Sequence, residues 1–216
     1  MEIKACIFDL DGVIVDTAKF HYIAWKELAR ELGFDFTEED NEQLKGVSRT
    51  TSLEILLKIG GITLSEAEKE RYAEEKNTRY LSWVRQMTPE DVLPGVLPFL
   101  MSLKDKGIAI ALGSASKNAP LILERVGLSA FFDAVVDGTM VSKAKPDPQV
   151  FQTAAELLGT APENCIVFED ARAGIEAAHR AGMKAVGVGS QQQLPEAKLV
   201  IAGFEGLDLE QLATKL

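Results

Sequence analysis

The 216 residues predict an α/β fold in which a parallel sheet core is interrupted by an inserted all-helical cap. Three observations carry that expectation. Short, continuous apolar runs recur along the chain, as ACIF, IAIALG, AVV, CIVF and KAVGV, the pattern of strands buried on both faces. From Pro94 onward these runs alternate with amphipathic segments of helical period. Between the first run and Pro94 the pattern is helical, with no convincing strand.

Taken in order, ACIFDL opens the chain as a strand. Phe20, Ala24, Leu28 and Leu32 recur at four-residue spacing and predict a helix, with Thr17 placed to cap it and Gly33 to end it. Further helices are expected around Glu38 to Leu44, around Thr50 to Ile59, and from Ser65 to about Met87. The last carries alternating charges, whose default meaning is a solvated face. After Pro94 come a helix near Gly95 to Lys106, the strand IAIALGS, a helix from Ala119 and the strand AVVDG. A helix from Gln149, the strand CIVFE, a helix from Ala171 and the strand KAVGVG follow, and the tail supplies a strand at Leu199 to Ile201 and a closing helix. The whole reads as a Rossmann-like parallel sheet core, residues 1–15 and 92–216, with an inserted all-helical cap domain over residues 16–91.

Composition bounds the function. With 46% hydrophobic and 26% charged residues the chain is globular, and 23 Lys plus Arg against 33 Asp plus Glu leave a net charge of -10. That balance speaks against nucleic acid or an anionic membrane as partner. A small anionic substrate stays open, because surface charges are screened beyond about 8 Å. The start has acidic residues in its first dozen positions and no signal-like run, and no apolar stretch approaches the roughly 20 residues that span a bilayer. Two cysteines, Cys6 and Cys165, sit inside strand-like runs as expected of core thiols in a reducing compartment. A cytoplasmic monomer is the expectation.

In open parallel sheets ligands bind beyond the carboxyl ends of the strands, and the polar motifs fall there. The first strand ends in Asp9 and Asp11; IAIALG leads into Ser114, Ala115, Ser116, Lys117 and Asn118; CIVF ends in Glu169 and Asp170; Lys145 lies in the loop KAKPDP. Two carboxylates two positions apart on a strand repel unless a cation or a proton sits between them. An oxygen-rich group of acids suits Mg²⁺, and a carboxylate held beside it can be phosphorylated while a neighbour shuttles protons. Each piece alone has a plain alternative. D-x-D-G is commonly a turn, ED before a helix a cap worth about 0.3–1 kcal/mol, and a lysine before proline an exposed loop residue. In the cap, His21 and Trp25 are spaced to pack together, and Lys45 and Arg49 share one side if KGVSR is helical. Convergence at the strand ends of one sheet is what caps and turns alone do not require.

This set of motifs resembles the haloacid dehalogenase superfamily of phosphoryl-transfer enzymes: FDLDG its first motif, LGSAS its second through Ser114, the lysine of KPDP its third, and FEDARAGIEAA its fourth. The cap segments DGVIVDTAKFHYIAWKELA, NEQLKGVSR and EEKNTRY, with SASKNAP of the core, narrow the resemblance to its sugar-phosphate mutases. The resemblance implies Asp9 as phosphorylated nucleophile and Asp11 as general acid and base, assisted by Ser114 and Lys145. It implies Mg²⁺ held by Asp9, Glu169, Asp170 and the backbone carbonyl of Asp11. Arg49, Ser116, Lys117 and Asn118 would grip the phosphate that is not transferred, and Thr17, His21 and Lys76 would link cap closure to Asp11. Trp25 and Lys45, Gly46 and Val47 would meet the sugar. The proline after it favours Lys145 over Lys143. The implied reaction interconverts β-glucose 1-phosphate and β-glucose 6-phosphate through an aspartyl-phosphate and glucose 1,6-bisphosphate. A sugar-phosphate phosphatase is the nearest alternative, and an inert sugar-phosphate-binding protein a more distant one.

Overall fold

A computed structural model describes residues 2–45 and 47–216. Among the described residues six strands form one sheet: β1 (Ala5–Phe8), β2 (Ala109–Gly113), β3 (Ala134–Val136), β4 (Cys165–Glu169), β5 (Lys184–Val188) and β6 (Leu199–Ile201). All neighbours are parallel, in the order β3-β2-β1-β4-β5-β6. β1 is therefore central, with Ala5 opposite both Ala109 and Cys165, and its four residues are wholly buried.

The period of two sorts β1 between two layers. Ala5 and Ile7 pack with Val150, Phe151 and Ala154 of α7 (Gln149–Leu157) and Ile175 and Ala178 of α8 (Arg172–Arg180). Cys6 and Phe8 face the opposite layer: Phe99 and Leu100 of α5 (Val96–Asp105), Ile122 of α6 (Ala119–Arg125) and Leu209 of α9 (Leu209–Ala213). Phe8 stacks on Phe168 with centroids 4.8 Å apart, and Phe99 and Phe204 pack around the pair. Both cysteines are buried and free.

Between β1 and β2 lie α1 (Ala18–Glu31), α2 (Glu38–Glu42), α3 (Arg49–Gly60) and α4 (Glu66–Val84). Local chemistry fixes their starts. Thr37 with Asp40 and Ser65 with Glu68 form reciprocal capping boxes, and the Ser48 hydroxyl accepts from the Thr51 amide. Trp25, Leu28, Phe36, Leu53, Leu56 and Leu57 give these helices a core of their own. The segments leading into and out of them run together: Val15 bridges Val92, and the Leu93 amide donates to the Ile14 carbonyl at 2.9 Å. No helix among the described residues is long and apolar enough to cross a membrane.

Candidate active site

The site begins where β1 stops. The Asp9 amide still donates to the Phe168 carbonyl at 2.9 Å, but beyond it the chain turns, and the Gly12 amide donates to the Val15 carbonyl at 2.8 Å. Asp9 and Asp11 therefore reach one cavity through a turn, not along an extended strand. Gly12 has a φ of 78°, and a Cβ there would overlap the Asp170 carboxylate. The glycine of FDLDG thus supplies both the left-handed backbone and the close approach of the two acidic loops.

Asp9, Glu169 and Asp170 each bring a carboxylate oxygen within 4.8 Å of the others, a donor set that could hold a hard metal ion. Lys145 lies buried behind them, its Nζ 2.6 Å from Asp9 Oδ1 and 2.8 Å from Glu169 Oε2. Lys143 instead points outward and pairs with Asp147. Burial disfavours the Lys145 ammonium, but Asp9 and Glu169 outweigh it and hold its pKa above the usual lysine range. Burial, with Asp9 and Asp170 nearby, pushes Glu169 up to about 8 against the pull of Lys145. Burial and Asp9 likewise lift Asp170 to about 7. The second Glu169 oxygen accepts from the Ala171 amide at 3.1 Å, and Gly174 leaves the space its carboxylate fills. The ED pair does not cap α8 in the ordinary sense: Ala171 is the N-cap and lends no side chain.

A third wall is the loop after β2. The Ser114 hydroxyl accepts from the Ser116 amide at 3.1 Å and the Ser116 hydroxyl from the Asn118 amide at 3.2 Å, so the loop is wound on its own side chains. Ser114, Ser116, Lys117 and Asn118 all line the cavity. Its volume is about 380 Å³.

The cap closes it. Trp25, Lys45, Val47, Arg49 and Lys76 line the cavity with His21. Lys76 is buried on α4 with Nζ 2.7 Å from His21 Nδ1, over the rings of Trp25 and Tyr80. With Lys76 as an ammonium, which can only donate, Nδ1 accepts and the ring proton sits on Nε2, 3.8 Å from Asp11 Oδ2. Burial, reinforced by Arg49, lowers Lys76 to about 7 despite Asp11, and burial with Lys76 keeps His21 neutral. Asp11 is lifted to about 7 by burial and Asp9, against Lys76 and Lys145.

Several expectations change. Thr17 holds the N-cap position of α1 but makes no side-chain cap bond, because its backbone is helical rather than extended and its hydroxyl is buried. Lys45 and Arg49 do not share a helix face: a turn separates α2 from α3, and Arg49 opens α3 with Nη1 3.3 Å from Glu74. His21 lies over Tyr80, centroids 4.1 Å apart, while Trp25 takes Lys76. Gly46 lies outside the described residues. Glu169, Lys145 and Thr17 are buried and do not line the cavity. Sequence reasoning passed over Asn41, Glu74, Asn77 and Tyr80. The first three line the cavity, and Tyr80 is wholly buried beneath His21.

A parallel α/β core with an aspartate at the end of its central strand, a buried lysine and a second acidic strand end defines a class of phosphoryl-transfer proteins. The family model of haloacid dehalogenase-like hydrolases matches residues 3–182, and the chain belongs to that family. Within it, the chain is 47% identical to a β-phosphoglucomutase of Bacillus subtilis over 97% of this chain and 93% of the relative. The crystal structure of a β-phosphoglucomutase from Clostridium difficile superposes with a TM-score of 0.95 at 45% identity, covering 99% of this chain and 96% of that one. A phosphorylated carbohydrates phosphatase of Thermotoga maritima is 33% identical over 85% of this chain and 83% of its own.

Proposed function

We propose that the chain is a phosphomutase that interconverts β-glucose 1-phosphate and β-glucose 6-phosphate through glucose 1,6-bisphosphate. Asp9 attacks phosphorus and the P–O bond to the sugar oxygen breaks, giving an aspartyl-phosphate; Asp11 delivers the proton to the departing hydroxyl. In the reverse sense Asp11 takes the proton from the accepting hydroxyl as the phosphoryl group leaves Asp9. Lys145 fixes the orientation of Asp9 and offsets its charge, and Ser114 offers a hydroxyl to the moving phosphoryl group. Mg²⁺ suits the acidic set, held by Asp9, Glu169, Asp170 and the Asp11 carbonyl, and when bound it supplies charge neutralisation for the phosphoryl oxygens. Thr17, His21 and Lys76 carry cap closure to Asp11. Residues 1–15 and 92–216 are the catalytic core and 16–91 the cap, and the enzyme works as a cytoplasmic monomer.

The observation that carries the mutase reading is a second set of phosphate-seeking groups on the same cavity: Arg49 of the cap and Ser116, Lys117 and Asn118 of the core all line it. Hydrolysis needs one phosphate site, whereas a bisphosphate that must reorient needs two. A hydroxyl so anchored can reach effective molarities of about 10⁵–10⁸ M and outcompete water. The test is the ratio of glucose 6-phosphate formed to phosphate released. Wild type should give mainly isomer, and Arg49→Ala, lacking a charge-assisted contact worth about tenfold or more in affinity, should shift the ratio toward phosphate. A wild-type ratio dominated by phosphate and unmoved by Arg49→Ala leaves the phosphatase.

A further inference from the structure

Asn118 occupies the N-cap position of α6, where asparagine ordinarily accepts a hydrogen bond from its own helix, yet it makes no such bond. Its Nδ2 crosses from core to cap and donates to Asn77 Oδ1 at 3.0 Å. Asn77 is itself out of place by helix propensity: it lies in the middle of α4 and is only 7% exposed. A buried amide there is costly unless paired, and among the described residues Asn118 is the side chain that pairs with its oxygen. The preceding residue, Lys76, is the one that reaches His21 and through it faces Asp11. Successive residues on a helix diverge by about 100°. A single turn of α4 therefore touches the acid–base side of the cavity with one side chain and the phosphate-gripping loop with the next.

We propose that Asn77 is a positioning residue of the second phosphate site: its carboxamide oxygen orients the Asn118 amide, so that the loop over Ser116 to Asn118 is in register with Arg49 only when the cap is seated. This rests on the mutase reading. In that geometry the cap contributes to the anchored phosphate twice, directly through Arg49 and indirectly through Asn77, and α4 makes the grip on one phosphate and the placement of Asp11 parts of one movement.

The experiment measures affinity for glucose 1,6-bisphosphate by calorimetry, with Mg²⁺ present, in an Asp9→Asn parent that cannot turn it over. Asn77→Ala and Asn118→Ala should each weaken binding about tenfold, and the double variant should bind no more weakly than Asn118→Ala alone, because one residue acts through the other. In the unmutated Asp9 background, Asn77→Ala should raise KM by a larger factor than it lowers kcat. Asn77→Ser replaces Asn77→Ala should the latter not fold. Losses that add, or an affinity within twofold of the parent whatever the change in thermal stability, would overturn the proposal and leave Asn77 a structural contact. A parent that does not bind the bisphosphate fails the mutase reading and this inference with it; isomerisation measured on wild type tests that reading separately.

Discussion

Core and cap each bury a lysine at the site, and they treat it in opposite ways. Lys145 is clamped between Asp9 and Glu169, so its charge is matched before any substrate arrives. Lys76 is equally buried but meets a neutral imidazole and two aromatic faces, with no carboxylate bonded to it among the described residues. A matched charge holds Asp9 in place; an unmatched one has its pKa lowered by burial to about 7. The core lysine is answered by carboxylates within the fold; the cap lysine, among the described residues, is not.

The largest test of this contrast removes the core's reactive group. Asp9→Asn should abolish phosphoenzyme formation and turnover, since an amide is a poor nucleophile; a normal phosphoenzyme by mass spectrometry would end the assignment. Next, Gly174→Ala places a methyl group where the Glu169 carboxylate lies. It should weaken Mg²⁺ affinity by about tenfold, as displaced metal-site partners commonly do. Titration of the purified variant with Mn²⁺ as a spectroscopic probe reads this directly, and unchanged affinity would place the metal elsewhere.

The smallest effect has the most telling sign. Because burial lowers Lys76 from the usual lysine value to about 7, the unfolded chain takes up a proton that the folded chain refuses as pH falls from about 10.5 to 7. Folded stability declines across that window, and the penalty is fully present below pH 7. Lys76→Met should then gain about 1–3 kcal/mol at pH 6.5, gain little above pH 10.5, and still lose mutase turnover. Denaturant midpoints at pH 6.5 and 10.5 measure it. A variant less stable than wild type at pH 6.5 would show that Lys76 is already matched, and the contrast with Lys145 would collapse.

The same division explains what could be read from the sequence. Core positions announce themselves because Asp9, Ser114 and Glu169 end or follow apolar strands, where a polar residue stands out. Element order, the sheet and the helical insertion were legible from those runs. In α4 the inward face is Ala73, Lys76, Asn77, Tyr80 and Val84, a helical stripe in which two polar residues hold core positions. Read as charge alternation, the segment looks like a solvated face, and Asn77 and Tyr80 vanish into it. Tracing back from Tyr80 and Val84 by threes and fours would have exposed them. The turn that parts Lys45 from Arg49 was hidden for another reason: the Ser48 cap resets the helix within a run that sequence spacing treats as continuous.

The central place of β1 also sets an order of assembly. As the chain leaves the ribosome this wholly apolar strand emerges before its partner strands, whose Ala109 and Cys165 lie far downstream. The cap helices come out in between, contiguous and with their own apolar centre. They can condense early and bring Val15 beside Val92, which turns a long entropic loop into a short one before β2 seeks its neighbour. The insertion that lines the cavity in the finished fold would then serve the nascent chain as a splint, shortening the time a sticky strand waits unpaired.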